Sequence, residues 1–154
     1  MHIVHISSKE KLAIRVTEVA EDDYARITKK RFSFDWKQEK ENDVYKLTID
    51  GQNDILGLIS LLMVDEEERI EIKLLAVSSE NIGANKTYEN IAGSLIAFAA
   101  RLAIKGYGVN AAISLIPKTK LAKHYINKYG FETAGKSLFM EGQNLLKLLH
   151  EYDG

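Results

Sequence analysis

Cysteine is absent from the chain, and proline occurs once, at Pro117. The first absence removes disulfides, thiolate metal sites and any cysteine nucleophile, and it is compatible with a reducing compartment. The second leaves long elements uninterrupted, because proline is the sharpest breaker of helices and central strands. Neither sign of charge dominates: 21 Lys and Arg face 22 Asp and Glu, a formal net of −1. No global field therefore draws the molecule toward nucleic acid or anionic lipid. No apolar run approaches the roughly 20 residues that cross a bilayer, and the start from Met1 to Arg15 lacks a basic segment followed by an apolar one. His2, His5 and His150 show no metal-ligand spacing, and His124 reads as a surface residue. These absences predict a cytoplasmic protein with no metal, no nucleic-acid partner and no membrane partner.

What is present is a packed composition, 45% apolar and 28% charged, over 154 residues. That size accommodates one core, so a single domain over 1–154 is expected. A strand is predicted from Leu12 to Val19. The stretch from Ala20 to Asn42 reads as two short helices, with Phe32, Phe34 and Trp36 spaced by two at an aromatic joint. Three strands follow, Asp43 to Ile49, Ile55 to Val64 and Glu68 to Val77, with short polar connections that make an antiparallel meander. In the third, Arg69, Glu71 and Lys73 alternate with Ile70, Ile72 and Leu74 before the wholly apolar run from Leu74 to Val77. That strand is predicted to begin half exposed and to end buried on both faces.

A helix from Thr87 to about Lys105, capped by Thr87 and stopped by Gly106, carries Ile91, Leu95, Phe98 and Leu102 at helical spacing. A strand from Val109 to Ile116 completes a right-handed β-α-β unit, and Pro117 blocks further pairing. A helix from Thr119 to Lys128 closed by Tyr129-Gly130, one or two strands from Phe131, and a helix from Gln143 to Tyr152 finish the chain. The expected class is α/β, a mixed, mostly antiparallel sheet in a three-layer α-β-α sandwich. The leucine-rich last helix can cover the sheet or a second copy, so a homodimer is possible.

Three segments within this order carry a resemblance: Glu71-Ile-Lys-Leu-Leu-Ala-Val-Ser-Ser79, Tyr88-Glu-Asn-Ile-Ala-Gly-Ser-Leu95 and His124-Tyr-Ile-Asn-Lys-Tyr-Gly-Phe131. From Asp43 to Phe131 the chain resembles the GNAT superfamily of acetyl-CoA-dependent N-acyltransferases. The resemblance implies a central β-α-β splay in which the pantetheine arm of the acyl donor pairs with the edge formed by Leu75, Ala76 and Val77. It places Tyr88, Glu89, Asn90, Ile91, Ala92, Gly93 and Ser94 at the pyrophosphate loop. It also makes Glu71 the general base and Tyr125 the general acid that protonates the leaving thiolate. Four departures accompany it. Tyr88 stands where Gln or Arg is usual, Ile91 replaces the first loop glycine, the connection from Val77 to Tyr88 is long, and Lys118 replaces a common asparagine.

Read as residues alone, several of these positions have a plainer meaning. Glu71, between Arg69 and Lys73, is a solvated member of cross-strand charge pairs. Tyr125 packs its ring on the sheet. Phe32, Phe34 and Trp36 anchor the first helices, although the family's acceptor pocket falls on this segment and Asp35 and Glu39 would attract a cationic amine. A pyrophosphate needs only unpaired helix-start amides, which any non-proline residue supplies. A branched side chain at Ile91 would obstruct it unless the Ser78 to Lys86 loop opened. Lys86 is either a surface lysine or an added charge for that phosphate. The run from Glu80 to Thr87 is no P-loop, since Glu80 and Asn85 occupy its glycine positions. The function implied is direct transfer of an acetyl group from acetyl-CoA to a primary amine of a small molecule or peptide. The alternative is a catalytically inactive GNAT-like module that binds acyl-CoA or a protein partner.

Overall fold

The computed structural model describes residues 1–117 and 121–153. Its strands are β1 (His2–His5), β2 (Lys11–Glu18), β3 (Asp43–Ile49), β4 (Gly57–Val64), β5 (Arg69–Val77), β6 (Tyr88–Glu89), β7 (Ala112–Leu115), β8 (Glu132–Ala134) and β9 (Ser137–Glu141). Its helices are α1 (Lys29–Phe32), α2 (Ile91–Tyr107), α3 (Ala122–Tyr129) and α4 (Gly142–Asp153). The strands form one mixed sheet in the order β6-β1-β2-β3-β4-β5-β7-β9-β8, which is the mixed α/β class expected. Backbone contacts group the chain into two compact units, Met1–Ser60 with Leu74–Leu95, and Leu61–Lys73 with Ile96–Gly154.

In the first unit β1 pairs antiparallel with β2, and β2 with β3 from Ile14↔Ile49 to Glu18↔Tyr45. The strand β1 escapes sequence reading because four residues, two of them histidine, carry too short an alternation to register. Residues 20–42 make single turns, Glu21–Ala25, α1 and Trp36–Glu39, in place of the two expected helices. The Thr28 side chain caps α1 by accepting from the Arg31 amide. The expected aromatic joint is there: Phe32 and Trp36 are buried with Val44, Ile55, Leu58 and Ala76, and Phe34 packs against them. The Trp36 indole donates to the Phe32 carbonyl at 3.3 Å, satisfying a buried N–H.

The helix α2 begins at Ile91 instead of Thr87. Tyr88 and Glu89 are taken by pairing with His5 and Val4 of β1, so the chain is extended where a helix is expected. It also runs past Gly106 to Tyr107, and Gly108, at φ +72°, takes the stop.

In the second unit β5 pairs in parallel with β7, from Arg69↔Ala112 to Ile72↔Leu115, and β9 pairs antiparallel with β7 and with β8. β7 is shorter than expected. Val109, 95% exposed, sits in a 3-10 turn before it, and β7 ends two residues ahead of Pro117. The helix α3 ends at Gly130, which takes a left-handed φ of +85°, as its place in the sequence suggests. The expected start of that helix, Thr119, and Lys118 lie outside the described residues. In α4, Leu145, Leu148 and Tyr152 are buried. No helix among the described residues is long and apolar enough to cross a membrane.

Candidate active site

The first unit supplies a strand edge and a helix start. Pairing of β5 with β7 runs only to Ile72 among the described residues, yet β5 continues to Val77. The apolar run is expected to be buried on both faces. Instead only Ala76 is buried, while Leu74, Leu75 and Val77 stay partly exposed. Among the described residues no strand pairs with that edge of β5 beyond Ile72, and a strand without a neighbour buries its side chains less fully. At the other edge the Ser78 amide donates to the Leu56 carbonyl at 2.9 Å, so β5 is held from one side.

After the turn at Ser79–Asn81, the buried Asn81 side chain accepts from the amides of Thr87 at 3.2 Å and Tyr88 at 3.1 Å. Tyr88 then pairs with β1, and its ring meets that of His5 edge-on at 5.4 Å. Asn90 turns the chain at φ +77°, and its carbonyl accepts the first helical bond from Ser94 N at 3.0 Å. The helix thus offers no acceptor to the amides of Ile91, Ala92 and Gly93, which carry the positive end of the α2 dipole.

Ile91 does not obstruct these amides. Its side chain is 3% exposed and turns inward onto Gly57. A Cβ added at Gly57 would lie 2.8 Å from Ile91 Cγ2, 2.9 Å from Leu95 Cδ1 and 3.4 Å from the Ala76 carbonyl oxygen. Gly57 is therefore the point at which the first turn of α2 comes down onto β4 beside β5. The expectation that the loop must open around Ile91 is corrected: β4 gives way, not the loop. The loop is also pinned by Arg31, whose guanidinium bonds Glu80 and Asp54 and holds the Glu80 carboxyl below its usual pKa against the opposing effect of burial. Lys86 leans on Glu89 at 3.8 Å, with Glu89 itself exposed.

The second unit holds both residues to which the resemblance gives acid-base roles. Glu71 accepts from Arg69 at 3.3 Å and pairs with Lys73 at 3.1 Å, so its charge pairs run along β5 instead of across strands, and the side chain is partly buried where a solvated one is expected. Arg69 also donates to the buried Ser114 hydroxyl at 2.7 Å and pairs with Glu67. Tyr125 lies in an aromatic cluster, with ring centroids 6.0 Å from Tyr129 and 6.0 Å from Phe131. Burial pushes its phenol pKa up, and burial does the same more strongly at Tyr129. His124, exposed as expected, still meets the Tyr125 and Tyr129 rings edge-on. Among the described residues no group of three or more His, Asp or Glu is placed to hold a metal ion.

Sequence reading missed Gly57, Asn81 and Arg31. Only Gly57 carried a signal, as a glycine inside an apolar strand run, which marks close approach of another segment. The other two act through contacts with residues distant in the chain.

No family model matches the sequence, and no curated protein is significantly similar to it. Solved structures do match. N-acetylglutamate synthase from Neisseria gonorrhoeae, complexed with coenzyme A and L-arginine, superposes with a TM-score of 0.61 at 16% identity, over 88% of this chain and 34% of that one. The chain thus spans about a third of that protein's length. A variant of spermidine N-acetyltransferase SpeG from Vibrio cholerae gives 0.59 at 13% identity, over 86% of this chain and 96% of its own. Nourseothricin acetyltransferase gives 0.55 at 16% identity, over 83% and 96%. The chain has the fold of these acetyltransferases, the GNAT fold.

Proposed function

We propose that the protein is an N-acetyltransferase that passes an acetyl group from acetyl-CoA directly to a primary amine of a small molecule or peptide. The observation that carries this reading is the edge of β5 beyond Ile72, unpaired among the described residues, next to a helix start with three amides free of helical partners. Both features meet at Gly57, where Ala76 and Ile91 approach the same point. That pairing of features fits a ligand with an amide-bearing arm and a diphosphate, since the arm needs a strand edge and the phosphates need N–H donors. Two of the matched solved proteins are complexed with coenzyme A or bound with AcCoA, which supports the same choice of donor.

When bound, acetyl-CoA supplies its acetyl group as a thioester. The peptide edge from Leu75 to Val77 orients the donor and offers an N–H to the carbonyl oxygen as negative charge develops. The amides of Ile91, Ala92 and Gly93, flanked by Tyr88, Glu89, Asn90 and Ser94, hold the diphosphate. Glu71 takes the proton from the attacking amine, directly or through one water. Tyr125 donates to the departing sulfur, and its raised pKa keeps the phenol protonated until then. The absence of cysteine agrees with direct transfer, which needs no thiol nucleophile.

The test is release of free coenzyme A thiol from acetyl-CoA with a panel of polyamines, amino acids, aminoglycosides and peptide N-termini. Turnover with at least one amine, together with a product heavier by one acetyl group, is expected. Tight binding of acetyl-CoA with no turnover across the panel would instead establish the inactive module.

A further inference from the structure

The stretch between β5 and β6 is organised by one buried side chain. Asn81 is 5% exposed, and its Oδ1 accepts from the amides of both Thr87 and Tyr88, at 3.2 and 3.1 Å. These two donors fix which end of the side-chain amide is oxygen. Its Nδ2 donates to Ser78 Oγ at 2.9 Å, and Ser78 is fully buried with its own amide bonded to Leu56. A single oxygen thus closes residues 82–86 into a loop and sets the height at which the chain enters β6. From there only Asn90, at φ +77°, separates β6 from the free amides of α2. The Thr87 carbonyl also accepts from Ile6 N at 2.9 Å, so the segment is tied on both sides.

Resting on the acyl-donor reading above, we propose that Asn81 is a positioning residue for the donor diphosphate. It touches no phosphate; it fixes the segment that presents the Ile91, Ala92 and Gly93 amides, so they are aimed before the ligand arrives. A loop that had to order itself on binding would spend that ordering free energy out of the affinity. The effect falls on the phosphates, because the end of β5 is held by its own backbone bond, from the Ser78 amide to the Leu56 carbonyl, in which the Asn81–Ser78 side-chain bond takes no part.

The experiment compares the dissociation constants of coenzyme A and of acetyl-pantetheine, which lacks the diphosphate, by calorimetry on the full chain. Asn81→Leu keeps the number and branching of heavy atoms and removes the acceptor, whereas Asn81→Ser keeps a shorter acceptor and adds no charge beside Glu80. We expect Asn81→Leu to weaken coenzyme A by about tenfold, to leave acetyl-pantetheine unchanged, and to raise KM for acetyl-CoA without lowering kcat. Asn81→Ser should lose less coenzyme A affinity than Asn81→Leu and leave acetyl-pantetheine unchanged. If Asn81→Leu weakens both ligands equally, or neither, the assignment is wrong, and if Asn81→Leu does not fold, an Asn81→Ser protein that binds both ligands as wild type does, or loses both equally, has the same meaning. Wild-type protein that binds neither ligand would overturn the donor reading itself, and this inference with it.

Discussion

Gly57 has no side chain because two others occupy its place. With Ile91 Cγ2 and Leu95 Cδ1 both inside 3.0 Å of where an alanine methyl would sit, Gly57→Ala must push the first turn of α2 off β4. Overpacking of this kind costs about 1–3 kcal/mol, so a lower denaturation midpoint with an unchanged denaturant slope is expected, together with weaker coenzyme A binding. A variant as stable as wild type would show that α2 adjusts without loss. The acid-base pair is tested at the same scale. Glu71→Gln and Tyr125→Phe should each lower kcat by about 10² or more while the coenzyme A dissociation constant holds. A Glu71→Gln enzyme with full kcat and reduced thermal stability would leave Glu71 only its ion pairs with Arg69 and Lys73.

Among the elements, the turn at Glu21–Ala25 is fastened by a buried carboxylate. Asp23 is 4% exposed and accepts from Lys46 at 2.6 Å, from the Ala20 amide at 2.8 Å and from Arg26. Burial opposes its ionisation, but these donors outweigh burial and set its pKa below the usual 3.8. A carboxyl with a depressed folded pKa binds fewer protons folded than unfolded. Its stabilisation is therefore complete above the unfolded value and is lost as pH falls through the folded one. Acid unfolding followed by circular dichroism should show a loss of stability below about pH 4 that Asp23→Asn lacks, since that variant is destabilised at neutral pH already. Equal acid sensitivity in both proteins would refute this.

The long elements were legible in the sequence because their signals are local. Alternation placed β3 at its observed bounds and β5 to within a residue, and Gly130 stopped α3 where it stands. What the sequence hid depends on distant partners. Pairing with β1 made a strand of Tyr88 and Glu89, and the end of pairing with β7 left Leu74, Leu75 and Val77 partly exposed. The candidate site shows the same division. The roles proposed for Glu71 and Tyr125 come from motif resemblance, whereas the clearance at Gly57 and the bonds that Asn81 accepts from Thr87 and Tyr88 exist only once the chain has folded.

For the whole molecule, one proposition decides the rest: the edge of β5 and the start of α2 together receive an acyl donor. Amide NMR spectra of ¹⁵N-labelled protein, recorded while coenzyme A is added, address it directly. The resonances of Leu75 to Val77 and of Ile91 to Gly93 should shift together and saturate at one dissociation constant. Saturating shifts confined to other residues, or none at millimolar coenzyme A, would show that this edge and helix start are not its seat.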